Sequence, residues 1–433
     1  VRILAPQPIM RSFLDKIFSR SNNLGHINNR IKNFTKNSSV NKIFEIINSF
    51  STESEIRYVG GCVRKLINNE KTDDIDLATN LEPNQICEIL KKNKISFYES
   101  GIKYGTITAL IDKSQFEITS LRSDISTDGR HAEVKFSKSW KEDSLRRDFT
   151  INSIYSDRDG NLFDPNDGKK DLKNGVVRFI GEPDKRIKED YLRILRYLRF
   201  FLNYSKYNHN LDTLKKLKMN IGGISKLSKE RLFDELKKIF KLKTLEKLSK
   251  DKISRELVLM IFPELKNLNI FAKLDQGQKA ILEDVDFIFL LSLIIIDGTD
   301  NVDYFIYKFN ISKKDEKRIK NINNFYLEKN TPKTFSEKNI NKIFYYLGKE
   351  AAIDILNFRI IKSKKLDKSL LKLIKLFQNK PTPVMPIGAN ELITKYKIPE
   401  GKQLGVKLKL IEEEWAGNNF KISDQQIDNI IKD

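Results

Sequence analysis

Two glycines and two aspartates confine what residues 57–79, RYVGGCVRKLINNEKTDDIDLAT, can fold into. Tyr58-Val59 reads as the end of a buried strand. The Gly60-Gly61 step lets the backbone turn tightly, so that the amides opening the next helix can face an anionic oxygen such as that of a triphosphate. In Asp74-Ile75-Asp76 the period of two in a strand turns both carboxylates to one side and Ile75 into the core. Adjacent carboxylates repel each other unless a cation lies between them. The pair is therefore a candidate metal site, with Mg2+ the expected occupant, clamping a triphosphate for in-line attack by a hydroxyl. An aspartate pair of this spacing is common at strand ends; the Gly-Gly turn thirteen residues upstream is what makes it specific. Arg64 falls one turn into the helix, either as a bidentate phosphate ligand or as a solvated surface arginine.

The 433 residues suffice for three or four compact units, and the composition is that of a globular chain. Lysine and arginine number 79 against 58 acidic residues, a net charge of +21, which points to a polyanionic partner and first of all to nucleic acid. A lysine- and asparagine-rich genome would give part of the same excess. Only Cys62 and Cys87 are present, without metal-ligand spacing or a disulfide framework; this argues against zinc and for a reducing compartment. That compartment is the cytoplasm for a bacterial-type protein and the mitochondrial matrix for a eukaryotic one. The apolar run 287–296 is too short to cross a bilayer and predicts a buried core helix, so no membrane partner is expected. The first forty-odd residues are basic and rich in Ser and Asn, fitting either a transit peptide or a helix packed on the first domain.

Residues 55–180 alternate short β-runs with brief helices, the runs being Tyr58-Val59, 75–78, 106–111, 116–121, 151–155 and 176–180. The expectation is an α+β head with a mixed, mostly antiparallel sheet. The runs 106–111 and 116–121, joined by Asp112-Lys113-Ser114, predict a hairpin with Glu117 and Thr119 on one face. Glu117 is thereby a candidate third catalytic carboxylate, or an exposed strand glutamate if the register slips by one. After Pro183 long amphipathic helices take over, with breaks near Gly222-Gly223, near Gln276-Gly277, and at Pro381, Pro383 and Pro386.

Three further segments carry polar chemistry. Residues 122–134, RSDISTDGRHAEV, read as a loop beside the cleft, a mobile lid or a plain surface loop. Arg146-Arg147-Asp148 precedes an alternating stretch; Arg147 is placed to bind triphosphate and Asp148 to accept a ribose hydroxyl, unless the cluster is only a structural ion pair. The run 188–200, KEDYLRILRYLRF, predicts one helix with Asp190 and Arg193 adjacent and Arg196 and Arg199 continuing the stripe, a solvated face unless it meets a nucleotide. In that case the pair has a clear logic. Cytosine and adenine both present an exocyclic amine beside an unprotonated ring nitrogen, so one carboxylate and one guanidinium read both and leave uracil and guanine mismatched.

Taken together, GGCVRK with DDIDLAT, RRDFTIN, EDYLR and SKERLFDEL resemble, in order, the motifs of the class II tRNA nucleotidyltransferases, the CCA-adding enzymes, which share their head with bacterial poly(A) polymerases. The resemblance is strong over about residues 57–240 and one of character beyond, where 386–420 is similar to tails of bacterial and mitochondrial members. It implies metal ligation by Asp74 and Asp76, nucleotide binding by Gly60, Gly61, Arg64, Arg147, Asp190, Arg193, Arg196 and Arg199, and a ribose contact from Asp148. It also implies a seahorse-like series of domains: an N-terminal extension 1–54, a catalytic head 55–180, then an all-α neck 181–250, body 251–380 and tail 381–433. The substrates implied are CTP, ATP and tRNA, held at its acceptor stem and elbow. Lys65 and Tyr104 stand where the family usually has aspartate and histidine; neither is expected to abolish activity.

Among the relatives, poly(A) polymerases carry a basic run where this chain has SGIKYGTIT, and CC-adding enzymes carry a shortened form of the 122–134 segment, which is complete here. Full CCA addition is the expectation. The alternatives are a poly(A) polymerase, a split CC- or A-adding enzyme, and a non-catalytic tRNA-binding protein that keeps the fold; the intact aspartate pair argues against the last.

Overall fold

The computed structural model describes residues 25–72, 74–127, 132–327, 332–363 and 366–432, which form two compact units meeting in sequence at Ser228 and Lys229. The first unit carries nine strands: β1 Ile56–Val59, β2 Asp76–Thr79, β3 Ser96–Gly101, β4 Thr106–Ile111, β5 Ser114–Ser120, β6 Arg122–Thr127, β7 Ala132–Phe136, β8 Tyr155–Ser156 and β9 Leu162–Phe163. Seven of them form one sheet in the order β3-β4-β5-β2-β1-β8-β9, and β6 with β7 forms a separate two-stranded ribbon. Every pair in the large sheet is antiparallel except β2 with β5. The expected mixed, mostly antiparallel head is thus present.

The helices of this unit are α1 (25–36), α2 Val40–Asn48, α3 Gly61–Ile67, α4 Pro83–Lys92, α5 Trp140–Arg146, α6 Gly168–Asn174, α7 Pro183–Glu189, α8 Leu192–Tyr204 and α9 Leu211–Asn220. Strand alternation sorts the sheet into two faces. Tyr58, Leu77, Ile107, Phe116 and Ile118 turn toward α1–α4 and form the main core with Ile31, Phe44, Val63 and Leu90. The opposite residues, Val59, Ala78 and Leu121, meet Tyr155 and Trp140 in a smaller cluster. Asp76 and Glu117 belong to this second face. The basic N-terminal segment therefore does contribute helices packed on the head from residue 25 onward, while residues 1–24 lie outside the described residues.

Several sequence expectations are corrected. The β4–β5 connection is the two-residue turn Asp112-Lys113, both at positive φ (48° and 68°), because Ser114 already pairs with Ile111; a turn with two such residues matches the right-handed twist of the flanking strands. Residues 150–152 are a 3-10 turn, so the strand expected at 151–155 shrinks to Tyr155–Ser156. The run 176–180 forms only an isolated bridge from Phe179 to Phe149. The presumed loop 122–134 is mostly strand, β6 and β7 pairing from Arg122↔Phe136 to Thr127↔Ala132; residues 128–131 lie outside the described residues.

The second unit is helical throughout its described residues. Its most apolar helix, Phe287–Ile295, is buried along its length from Ile288 onward, as a core helix must be. Among the described residues no helix is long and apolar enough to cross a membrane. Asp275 caps the helix Gln276–Glu283 at the expected Gln276-Gly277 break. The proline-rich stretch separates helix Lys368–Asn379 from Ala389–Tyr396, after which Leu392, Leu404, Ile411 and Ile427 form a small core of their own.

Candidate active site

At the point where β1 turns into α3, Gly60 adopts φ 69°, ψ −124°, a conformation that side chains rarely tolerate. A Cβ there would stand 3.6 Å from Arg147 Nη1 and 3.9 Å from both Asp76 Oδ2 and the Asn152 carbonyl. Backbone, carboxylate and guanidinium thus meet in one place. One residue on, a Cβ at Gly61 would stand 3.7 Å from Arg64 Nη2. Arg64 is only 6% exposed, its Nη1 donating to Asn152 Oδ1 and its guanidinium lying 4.8 Å over Phe200 and 5.0 Å over Tyr204. Its buried Nε has no hydrogen-bond partner among the described residues. Such a donor costs about 1–3 kcal/mol unless an acceptor arrives.

The carboxylates gather from two strands. The parallel register sets Glu117 directly across from Asp76, and paired residues of neighbouring strands point to the same face. Asp74 lies two residues before β2 begins and is exposed, while Ile75 is buried in the main core, as the spacing predicted. Burial, then Asp74, then Glu117 push the Asp76 carboxyl up to about 6, and Arg147 and Arg64 offset this only in part. Asp76 is half-buried and Glu117, like Asp74, is exposed; hard oxygen donors in excess negative charge at such a surface fit a divalent cation. Among the described residues no three Asp, Glu, His or Cys side chains converge on one ion position.

Across Gly60 the arginines are held by buried acids. Ser139 caps helix α5, its side chain accepting from the Glu142 N–H, and the helix's one buried acid, Asp143, sits four residues before Arg147. Asp143 Oδ2 accepts from Arg147 Nη2 at 3.0 Å and from the Tyr155 hydroxyl at 2.6 Å, and Oδ1 accepts from Arg146 Nε at 2.8 Å. Asp148, 7% exposed, accepts from Arg196 Nε at 2.6 Å, Asn152 Nδ2 at 2.8 Å and its neighbour's N–H at 2.9 Å. Burial disfavours the charge on Asp148, but Arg196 and Asn152 outweigh it and bring the carboxyl down to about 2.

The 188–200 segment departs from the single helix expected of it. Helix α7 ends at Glu189, Asp190 is extended (φ −152°, ψ 105°), and α8 begins at Leu192. The break has one local and one distant cause. Asp190 Oδ1 accepts from the Leu192 N–H at 3.1 Å, an alternative to helical bonding, and the Tyr191 ring packs where a Cβ on Gly223 would stand, 2.0 Å away. Arg193 is fixed independently: its Nη1 donates to the Arg186 carbonyl and to Glu189 Oε2, both at 2.6 Å. Arg186 in turn donates to Glu189 at 2.5 Å and to the carbonyls of Arg146 and Arg147 at 2.5 and 2.7 Å. Arg199 lies 4.1 Å over the Phe200 ring.

The structure therefore brings Gly60, Asp76, Glu117 and Arg147 together, and ties Arg196 to Asp148. Sequence reasoning passed over Asp143, Asn152, Tyr155, Arg186 and Glu189, which hold the arginines. The signals that could have found some of them are ion-pair spacings: Asp143 four residues before Arg147, Arg186 three before Glu189, and Glu189 four before Arg193.

Residues 56–178 match the family model described as the Poly A polymerase head domain, and residues 210–268 match one described as a probable RNA and SrmB-binding site of polymerase A. The mitochondrial CCA tRNA nucleotidyltransferase 1 of Mus musculus is 32% identical over 396 residues, covering 87% of this chain and 86% of the relative. Its Homo sapiens counterpart is 34% identical over 392 residues with the same coverage. The structure of the Bacillus stearothermophilus CCA-adding enzyme in complex with CTP superimposes with a TM-score of 0.68 at 19% identity, covering 91% of this chain and 97% of that one, which establishes the fold. With more than four fifths of its length aligned to such relatives, the chain belongs to the CCA tRNA nucleotidyltransferase family.

Proposed function

We propose that this chain performs its family's reaction with the groups gathered around Gly60. It adds CCA to the 3′ end of tRNA from CTP and ATP without a nucleic-acid template. In each of three turns the terminal 3′ hydroxyl attacks the α-phosphorus of the nucleotide and pyrophosphate leaves. The observation that carries the residue assignment is the meeting of the Asp76 carboxylate, the Arg147 guanidinium and the glycine turn within about a side chain's reach of one another.

Members of the family depend on a divalent cation, and Mg2+ is our proposal for it, held by Asp74 and Asp76 with Glu117 beside them. Bound there, it supplies charge neutralisation for the triphosphate and a lowered pKa for the attacking hydroxyl. Arg64 and Arg147 grip phosphate oxygens, the unpartnered Nε of Arg64 gaining its acceptor in the process. Asp190 accepts from the exocyclic amine of cytosine or adenine and Arg193 donates to the adjacent ring nitrogen; the grip of Glu189 and the Arg186 carbonyl holds that arginine ready. Asp148 and Arg196 shape the ribose side, and Arg199 adds positive charge beside Phe200. The head, neck, body and tail boundaries given by the sequence remain our division of labour, with phosphate contacts from the basic helical half.

The test is incorporation of each labelled nucleotide into tRNA transcripts ending before CCA, after C and after CC, resolved to one nucleotide with Mg2+ present. Additions in the order C, C, A are expected. Stopping after CC would mean a split activity, long A tails a polymerase, and no incorporation a non-catalytic tRNA binder. In the same assay Asp190→Ala should relax discrimination against UTP and GTP by at least tenfold, the effect of losing one buried hydrogen-bond match.

A further inference from the structure

Asp143 has no place in the reaction as described, yet it is among the most thoroughly bound side chains of the head. It is 1% exposed. Five donors converge on its two oxygens: Arg146 Nε at 2.8 Å and the Arg122 N–H at 3.4 Å on Oδ1, and Arg147 Nη2 at 3.0 Å, Arg147 Nε at 3.3 Å and the Tyr155 hydroxyl at 2.6 Å on Oδ2. Arg122 opens β6, so this carboxylate joins the root of the β6–β7 ribbon to α5 and to β8.

The effect on Arg147 is directional. A guanidinium has its donors in a rigid planar fork, so fixing Nε and Nη2 fixes the heading of Nη1. Here Nη1 is turned to Gly60, the position that also faces Asp76. The Tyr155 ring, 5.2 Å from the guanidinium carbon, and its hydroxyl, 3.1 Å from Nε, close the other side. Burial disfavours the Asp143 charge, but Arg147, Arg146 and the Tyr155 hydroxyl hold its carboxyl well below the usual range, so it stays ionised and acceptor-only.

We infer that Asp143 is a positioning residue for the nucleotide triphosphate: it aims Arg147 at the phosphates and ties that aim to the root of the β6–β7 ribbon. The inference rests on the reading of Arg147 as a triphosphate ligand. Asp143→Asn keeps the size but puts an amide donor among arginine donors, which frees the guanidinium to turn away.

The experiment is steady-state kinetics of full-length Asp143→Asn, with inorganic pyrophosphate as a product inhibitor and thermal melting as a check of folding. KM for CTP and for ATP should rise together by about tenfold, as for loss of one charge-assisted contact, and the inhibition constant for pyrophosphate should rise by a similar factor. KM for tRNA and discrimination against UTP and GTP should not move, and Asp143→Glu, which keeps the charge, should recover part of the loss. A folded variant whose nucleotide KM and pyrophosphate inhibition match the parent overturns the inference, as does a change confined to base choice. If Asp143→Asn lacks a cooperative melt, Tyr155→Phe decides instead, since it removes one donor from the same oxygen: a rise in both nucleotide KM values supports the role and none overturns it. Arg147→Ala separates the two levels. Unchanged pyrophosphate inhibition there sinks the triphosphate reading itself, whereas a strong effect there beside a silent Asp143→Asn sinks only the positioning role.

Discussion

On one side of Gly60 the head concentrates negative charge: Asp76 is pushed up to about 6 by burial, Asp74 and Glu117, with Arg147 and Arg64 too weak to cancel them. On the other side Asp143 and Asp148, more deeply buried than Asp76, are saturated by arginine, tyrosine and asparagine donors, Asp148 being held at about 2 and Asp143 well below the usual carboxylate range. The same residue type in the same fold is left wanting on one side and satisfied on the other. A buried acid paired with arginine organises a site before any substrate arrives, whereas a cluster of like charges stores repulsion that a cation relieves on binding. The arginine side is a finished frame and the carboxylate side is an incomplete one.

Removing one acid from each side should give opposite phenotypes. Asp74→Ala should lower kcat by at least about a thousandfold, since charge stabilisation by a bound metal is worth several kcal/mol, while filter-binding affinity for tRNA and the melting temperature stay close to the parent. Asp148→Ala should instead destabilise the head by about 1–3 kcal/mol, because it takes the acceptor from the buried Asn152 amide and from the Phe149 N–H. An Asp74 variant with substantial turnover, or an Asp148 variant with parental urea stability, would erase the distinction.

The two sides were not equally legible in the sequence. The carboxylate side depends in part on short-range rules: a Gly-Gly pair announces the turn, the Asp-Ile-Asp spacing buries Ile75 although Asp74 lies before β2, and a tight hairpin puts Glu117 and Thr119 on one face. Even there the parallel pairing of β2 with β5, which sets Glu117 beside Asp76, joins residues about forty apart and has no local signature. The arginine side depends on such distant links. Arg186 reaches carbonyls at Arg146 and Arg147, and Arg196 reaches Asp148, across 39 to 48 residues. The helix break at Asp190 escaped periodicity for the same reason, since Leu192 and Leu195 keep helical spacing while Tyr191 is placed by its fit against Gly223. The 122–134 segment was misread because its polar composition imitates a loop, although a two-stranded ribbon needs no apolar face to pair its backbone.

Acid should weaken the arginine side in a defined window. Asp148 has its folded pKa depressed to about 2 from an ordinary 3.8, so its contribution is fully present above the unfolded value and is lost as pH falls through the folded one. The shift corresponds to about 2 kcal/mol, and Asp143, also depressed, adds in the same direction. Urea midpoints should therefore fall steeply between about pH 4 and pH 2, and less steeply in Asp148→Asn, which has lost that linkage at every pH. Parallel curves for the two proteins would show that the frame is not what acid dissolves.

The smallest effect runs the other way, as a gain. Asp76→Asn removes a charge from the crowded side without changing its size, so in EDTA the variant should melt about 2–4 °C above the parent, the shift expected for roughly 1 kcal/mol in a unit of this length. It should also be inactive. Added Mg2+ should raise the melting temperature of the parent more than that of the variant, because the variant has lost the central charge of the cluster that the cation relieves. A variant that melts below the parent in EDTA would mean that Asp76 is held by favourable contacts as Asp148 is, and the contrast between the two sides of Gly60 would no longer stand.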